Sequence, residues 1–237
     1  MNSAATTFDS AAQTYAEQLQ QGLSLSGETA AYFVRGRVRK LKELSKRYQS
    51  SQPTTILDFG CGVGNAIPKL LAIFPGSQLT GVDCSIASLA LAQRRFSKLL
   101  RFRHRVHLVQ SSQTLSTAAF DIAYSSGVFH HIDPDRRQFE LDKIFNSLKP
   151  GGLFALFENN PWNPATRWVM SRIPFDRDAI CLSPIETRRR LRAVGFEVLA
   201  TQYLFFFPRD LIRFRPCERY LKRLPMGAQY VVLARRP

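Results

Sequence analysis

Seven residues, Asp58-Phe59-Gly60-Cys61-Gly62-Val63-Gly64, alternate glycine with other types, and an acid, Asp83, stands a short distance downstream. Glycines at this spacing let a loop take positive φ and let its backbone approach a ligand closely. The loop leads into a predicted helix, whose free N–H groups favour negative charge. The Asp83 carboxylate can accept hydrogen bonds from both hydroxyls of a ribose, or it can cap the helix that follows it. Together the two features read as a nucleoside-binding site. A dinucleotide fingerprint would place a third glycine at position 65, where Asn65 stands, which weakens a nicotinamide reading. Further along are His130, His131 and Glu158. A histidine titrates near working pH, so His130 or His131 is a candidate base, and Glu158 an alternative base or acceptor anchor. The same pair also suits a structural or cofactor-side role.

Strands alternating with helices must carry these groups. Thr54–Phe59 is an apolar run ending in the glycine loop, which reads as a buried parallel strand. Further strands are predicted over Gln78–Val82, Val106–Gln110, Phe120–Tyr124 and Leu153–Phe157. Helices are predicted over Asn65–Phe74, Ser85–Leu100 and Asp135–Leu148, the second capped by Ser85 and the third ended by Lys149-Pro150-Gly151-Gly152. After the fifth strand come a helix over Pro184–Val194 and two strands, Phe196–Phe207 and Gln229–Ala234, able to pair antiparallel. Residues 1–50 stand outside this alternation and read as a helical cap with helices over Ala11–Gln21 and Thr29–Tyr48. Residues 51–237 then form one α/β unit: a Rossmann-like, seven-stranded, mostly parallel sheet with an antiparallel C-terminal hairpin.

The stretches ILDFGCGVGNAIPKL, GVDCS, FDIAYSSGVFHHI and LKPGGLFALFE, in order over about residues 54–158, resemble the successive motifs of class I S-adenosylmethionine-dependent methyltransferases. The resemblance implies that the glycine loop, with Asp58, Gly60, Cys61, Gly62 and Gly64, holds the methionine part of S-adenosylmethionine. It implies that Asp83, next to Cys84, holds the ribose, and that the loop after the third strand meets the adenine. Many relatives carry Gly-Asp-Ala there; this chain has Gln110-Ser111-Ser112-Gln113, leaving Ser112 or Gln113 to contact the base without a carboxylate. Ser125, after the fourth strand, joins the expected cofactor residues. Phe8-Asp9, Ala12 and Tyr15 resemble the FDxxAxxY opening of small-molecule methyltransferases, whose aromatic residue often lies over the cofactor; the same spacing also describes an ordinary helix face.

The acceptor should meet residues just beyond the fourth and fifth strands. Methyltransferases acting on base amino groups often carry Asn/Asp-Pro-Pro-aromatic after strand four; here that position reads Tyr124-Ser125-Ser126-Gly127. Asn160-Pro161-Trp162 follows strand five instead and is expected to shape an acceptor-side loop. Trp162 and Trp168 suit stacking on a flat acceptor, or core packing. An insertion, Pro208–Pro225, interleaves Arg209, Arg213, Arg215, Arg219, Lys222 and Arg223 with Leu211, Ile212, Phe214, Tyr220, Leu221 and Leu224. It suits a contact with an anionic membrane surface or lipid-linked acceptor, or a short helix pair covering the sheet edge.

The chain has 237 residues, 45% hydrophobic, enough for one α/β domain with a cap. No apolar run approaches the roughly 20 residues of a membrane-spanning helix. The start MNSAATTFDS has neither a basic nor an apolar leader region, so a cytoplasmic location is expected, with peripheral membrane contact left open. Four dispersed cysteines form no CxxC pair, and no metal site is expected. The net charge of +15 suits an anionic partner, RNA or lipid, or simply a soluble basic chain. The leading expectation is O-methylation of a small-molecule or lipid- or glycan-linked acceptor. RNA methylation and non-catalytic S-adenosylmethionine binding are the alternatives. Oligomeric state is not legible.

Overall fold

The computed structural model describes Asp9, Gln20, Gly22, Leu23 and residues 26–49, 51–99, 102, 104–176 and 179–237. The predicted helix over Ala11–Gln21 lies almost wholly outside these residues. The first described helix is α1 (Ala30–Tyr48), capped by the Thr29 side chain, which accepts from Tyr32 N. There follow β1 (Thr55–Phe59), α2 (Ile67–Ile73), β2 (Gln78–Asp83), α3 (Ile86–Ser97), β3 (Val106–Gln110) and β4 (Phe120–Ser126). Then come α4 (Arg137–Ser147), β5 (Leu148–Asn159), α5 (Pro164–Ser171), α6 (Pro184–Val194), β6 (Glu197–Leu204), α7 (Glu218–Leu221) and β7 (Gln229–Arg235).

The sheet order is β3-β2-β1-β4-β5-β7-β6. The pairs along β3-β2-β1-β4-β5 are parallel, and β7 runs antiparallel between β5 and β6. The expected α/β architecture with its C-terminal hairpin is therefore present. Order reverses between β1 and β4, the switch point beyond whose carboxyl ends ligands bind in open sheets.

Apolar side chains cover both faces. On one, Val38, Leu41 and Leu44 of α1 pack with Ile56, Leu79, Ile122 and Leu233. On the other, Leu141 and Ile144 of α4 and Leu191 of α6 pack with Leu57, Phe154 and Val232. Each large side chain so buried contributes about 1.5–3 kcal/mol relative to exposure. The apolar face of α1 thus belongs to the sheet's own core. Predicted caps hold: Ser85 Oγ accepts from Ser88 N at 3.0 Å, and Gly195, at φ 108°, ends α6.

β6 stops at Leu204, three residues short of the predicted Phe207, and the largest boundary difference is at the start of β5. The helix stops at Ser147, ahead of Lys149-Pro150-Gly151-Gly152, but the strand predicted from Leu153 already begins at Leu148. The C-terminal chain extends this end, with Gly151 N donating to Arg236 O and Arg236 N to Gly152 O at 2.8 and 2.9 Å. Such a distant pairing leaves no local sequence signal. At the same end, Asp121 Oδ2 accepts from both the backbone N and hydroxyl of Thr54 and of Thr55, at 2.8–3.0 Å, and Oδ1 accepts from Lys149 Nζ at 2.7 Å.

Candidate functional site

The cofactor candidates converge at the carboxyl edge of β1 and β2. Gly60, Gly62 and Gly64 have φ of 78°, 52° and 76°. Their spaces differ. A Cβ on Gly60 would fall 2.2 Å from Val128 Cγ2, and one on Gly64 2.5 Å from the Phe96 ring, so these two permit close packing. A Cβ on Gly62 would meet nothing within 4 Å, because this residue faces a cavity. Gly60 N and Cys61 N both donate to Val82 O, at 2.7 and 3.0 Å, locking the loop onto β2.

Asp83 joins the loop to α3. Its Oδ2 accepts from Gly62 N at 2.7 Å and its Oδ1 from Ser85 N at 2.9 Å. Burial raises its pKa, with those backbone donors opposing. Asp9, of the Phe8-Asp9 opening, adds a contact the sequence did not reveal. Its Oδ1 accepts from Ser85 Oγ at 2.6 Å and Ala87 N at 3.1 Å, so it caps α3. Tyr15, Phe8 and Ala12 lie outside the described residues.

Asp58 is buried with Oδ2 lacking any hydrogen-bond partner. Burial, then the neighbouring Asp83 charge, pushes its pKa up to about 7, against the opposing Arg37. Arg37 extends from α1; its Nη1 donates to Gln229 Oε1 at 3.1 Å, while its buried Nε has no partner. Sequence reasoning missed Arg37, because a lone arginine on a cap helix carries no motif. Tyr124, one strand away on β4, is likewise buried, with Arg37 and Ser126 beside its hydroxyl. Unpaired buried polar atoms each cost about 1–3 kcal/mol, so their gathering around one cavity marks a place for a polar ligand.

His130 sits in a short 3-10 turn after β4, at Phe129–His131. Its Nδ1 lies 2.5 Å from Glu158 Oε2, and its Nε2 3.5 Å from Asp176 Oδ1. His131 Nε2 lies 3.1 Å from the same Asp176 oxygen. Glu158 Oε1 accepts from Val128 N and Phe129 N, at 3.0 and 2.7 Å. Burial alone would depress the His130 pKa, but Glu158 and Asp176 outweigh it and raise it to about 10. Burial and the adjacent His130 charge hold His131 low. For Glu158, burial is outweighed by His130, the Phe129 N–H and His131, and its pKa is lowered. A protonated imidazole has no lone pair to accept a proton, and both Glu158 oxygens are engaged. The expectation of His130 or Glu158 as base therefore meets a physical objection. His130, His131 and Asp176 are also the one group among the described residues whose nitrogen and oxygen atoms, all within 4.8 Å, suit a metal ion, although no metal spacing was legible in the sequence.

The cavity measures about 1650 Å³. Ligand sites more often measure about 300–1,000 Å³, so this one has room for a nucleoside cofactor and a second molecule. Asp58, Gly60, Cys61, Gly62, Asp83, Cys84, His130 and His131 line it. Ser112 and Gln113 do not: both are exposed, and Ser111 lines the cavity in their place. The turn after β3 decides this, with Ser111 N donating to Asp83 O at 2.9 Å. Ser125 and Gly64 also lie off the lining; Ser125 is fully buried beneath it, its Oγ unpartnered. An aromatic wall completes the cavity. The Tyr32, Phe33 and Phe205 rings have centroids 4.9–5.6 Å apart. Phe205 holds φ at 61°, a conformation costly for a bulky residue.

A family model described as a methyltransferase domain matches residues 57–154. Among curated relatives, trans-aconitate 2-methyltransferase of Methylobacterium radiotolerans is 31% identical over 120 residues, covering 51% of this chain and 44% of that protein. Malonyl-[acyl-carrier protein] O-methyltransferase of Bacillus cytotoxicus is 29% identical over 130 residues, 54% of this chain and 44% of that one. An S-adenosylmethionine-dependent methyltransferase from Mesorhizobium loti superposes with a TM-score of 0.57 at 20% identity, covering 78% of this chain and 92% of that one. Geranyl diphosphate C-methyltransferase from Streptomyces coelicolor gives 0.62 at 19%, covering 84% and 79%. The chain therefore matches a methyltransferase domain over residues 57–154 and shares the fold of S-adenosylmethionine-dependent methyltransferases. It spans about half the length of the curated relatives it matches. The matched methyltransferase segment holds the glycine loop, Asp83 and the histidine pair; Arg37, Glu158, Asp176 and the insertion lie beyond it.

Proposed function

We propose that this methyltransferase transfers a methyl group to a carboxylate oxygen of a largely apolar small molecule or lipid-linked acceptor. The observation that carries the reading is the pairing of an acceptor-sized cavity with a His130–Glu158 pair in which the imidazole is held protonated and both carboxylate oxygens are engaged. A hydroxyl acceptor needs a base to become a good nucleophile, whereas a carboxylate is nucleophilic as bound. Two of the matched relatives carry names consistent with acid acceptors, trans-aconitate and malonyl-[acyl-carrier protein].

The site fits S-adenosylmethionine. Asp83 would take the ribose hydroxyls, the backbone around Gly60 and Gly62 would cradle the methionine part, and the unpartnered Asp58 Oδ2 suits its ammonium group. The bound cofactor supplies an electrophilic methyl on a sulfonium. Arg37, with its free Nε, would hold the acceptor's carboxylate, and the Tyr32-Phe33-Phe205 wall its apolar part. Alignment is then the protein's main contribution. A C–O bond forms as the sulfonium C–S bond breaks, and no proton moves. His130, clamped by Glu158 and Asp176, would fix the turn after β4 beside the reacting face.

The test is labelled methyl transfer to a series of straight-chain carboxylic acids and the matching alcohols. Methyl esters, whose label is released as methanol by alkali, are expected from the acids. Alkali-stable product from the alcohols, or label found only in RNA, would overturn the reading.

A further inference from the structure

The insertion offers a surface of an unusual kind. Residues Arg209–Cys217 form a run of 3-10 turns leading into α7, and none of the residues in either is buried. A pair of helices covering the sheet edge would turn its apolar side chains inward. Here Leu211, Ile212, Phe214, Tyr220, Leu224 and Met226 face solvent, Tyr220 at 72% and Met226 at 64% exposure. Surface apolar residues are ordinary one at a time, but a contiguous set marks an interaction site.

Three residues tie the segment down. Glu218 Oε1 accepts from Phe206 N and Phe207 N at 3.0 and 3.1 Å, Arg215 pairs with Glu28 at 2.7 Å, and Tyr203 N donates to Lys222 O at 2.8 Å. The exposed Arg209, Arg213, Arg219 and Arg223 alternate with the apolar residues. The Arg219 guanidinium lies 4.6 Å from the Tyr220 ring centroid. Asn160 and Asn163 reach across, their Nδ2 groups donating to Pro225 O and Gly227 O and to Met226 O. They bring α5 alongside, with Trp162 and Trp168 each nearly half exposed. The surface is continuous with the cavity, since Trp168 and Phe205 through Pro208 line it.

We propose that this surface docks the cavity mouth onto an anionic lipid bilayer, so that an amphiphilic acceptor enters from the membrane. Charge complementarity selects the occupant. Residues 208–225 hold six basic side chains against two acidic ones, in a chain of net charge +15. Arginines can snorkel to phosphate headgroups while Tyr, Trp and Phe settle at the interface. An RNA-binding face would show basic residues and stacking rings, without the exposed Leu211, Ile212, Leu224 and Met226. No described helix is long and apolar enough to cross a bilayer, so the contact is peripheral.

The inference leans on the proposed acceptor chemistry only for its purpose; docking is measured without cofactor or acceptor. The experiment is co-sedimentation of the full chain with phosphatidylcholine vesicles, with and without phosphatidylglycerol, and with a structured RNA as competitor. Binding is expected to the anionic vesicles and to weaken with salt. Arg213→Glu with Arg219→Glu should lower partitioning about tenfold or more, and Ile212→Ser with Phe214→Ser should weaken it while leaving the melting temperature in place. The proposal is overturned by no sedimentation with anionic vesicles at low salt, by unchanged binding of the Ile212→Ser, Phe214→Ser protein, or by RNA binding that excludes vesicles. Calorimetry with S-adenosylhomocysteine on the same preparation keeps the two readings apart: failure of vesicle binding alone sinks only docking, and failure of cofactor binding alone sinks only the proposed function.

Discussion

The two ends of the parallel strands treat a carboxylate in opposite ways. At the amino end, Asp121 collects four donors from Thr54 and Thr55 and an ion pair from Lys149. Burial works against its charge, yet these donors win and lower its pKa to about 2. At the carboxyl end, Asp58 is buried with one oxygen unpartnered, and burial raises its pKa to about 7. One carboxylate stabilises the fold at neutral pH and the other weighs against it. The difference separates scaffold from site: polar groups are matched where the protein must only hold together, and left unmatched where a ligand is to complete them.

The contrast can be broken from either end. The largest effect should come from Asp83→Ala, which removes the proposed ribose acceptor and the anchor of the Gly62 amide; calorimetry should find affinity for S-adenosylhomocysteine reduced by about 100-fold or more. Asp58→Asn should next separate stability from binding. A raised acid pKa means the unfolded chain ionises first, so apo stability falls as pH climbs from the ordinary 3.8 to about 7. The variant should therefore gain about 1–3 kcal/mol at pH 8 by thermal unfolding, while its cofactor affinity falls. A loss of stability instead would mean that Asp58 is already well matched.

Asp121→Asn should do the reverse. Its pKa is depressed, so its contribution is present above the ordinary 3.8 and is lost as pH falls through about 2. The variant should lose about 1–2 kcal/mol at pH 7, a figure reduced for partial solvent screening, with cofactor affinity unchanged. Smallest of all is Ser112→Ala. Because Ser112 is exposed and off the cavity lining, its affinity should stay within about twofold of the parent.

Much of this layout was legible in the chain. The period-2 and period-3.6 alternation, the glycine loop and Asp83 follow local rules, and each element from Thr55 to Gln110 lies within three residues of its expected bounds. Interactions distant in sequence were not legible. Arg37 meets Asp58 only because α1 folds over the carboxyl edge, and Asp176 reaches His130 and His131 from a turn with no motif. The turn after β3 puts Ser111 inward and Ser112 outward, a matter of one residue of register. The helix α5 was unassigned; the Asn163 side chain caps it and also holds Met226 O, far away in sequence.

The most direct test of the central claim is titration calorimetry of the full chain with S-adenosylhomocysteine at pH 8 and pH 6. One site per chain is expected, with affinity about tenfold weaker at pH 6, the cost of deprotonating a group whose pKa is about 7, and no such pH dependence in Asp58→Asn. No binding at either pH, or equal affinity in Asp83→Ala, would contradict it.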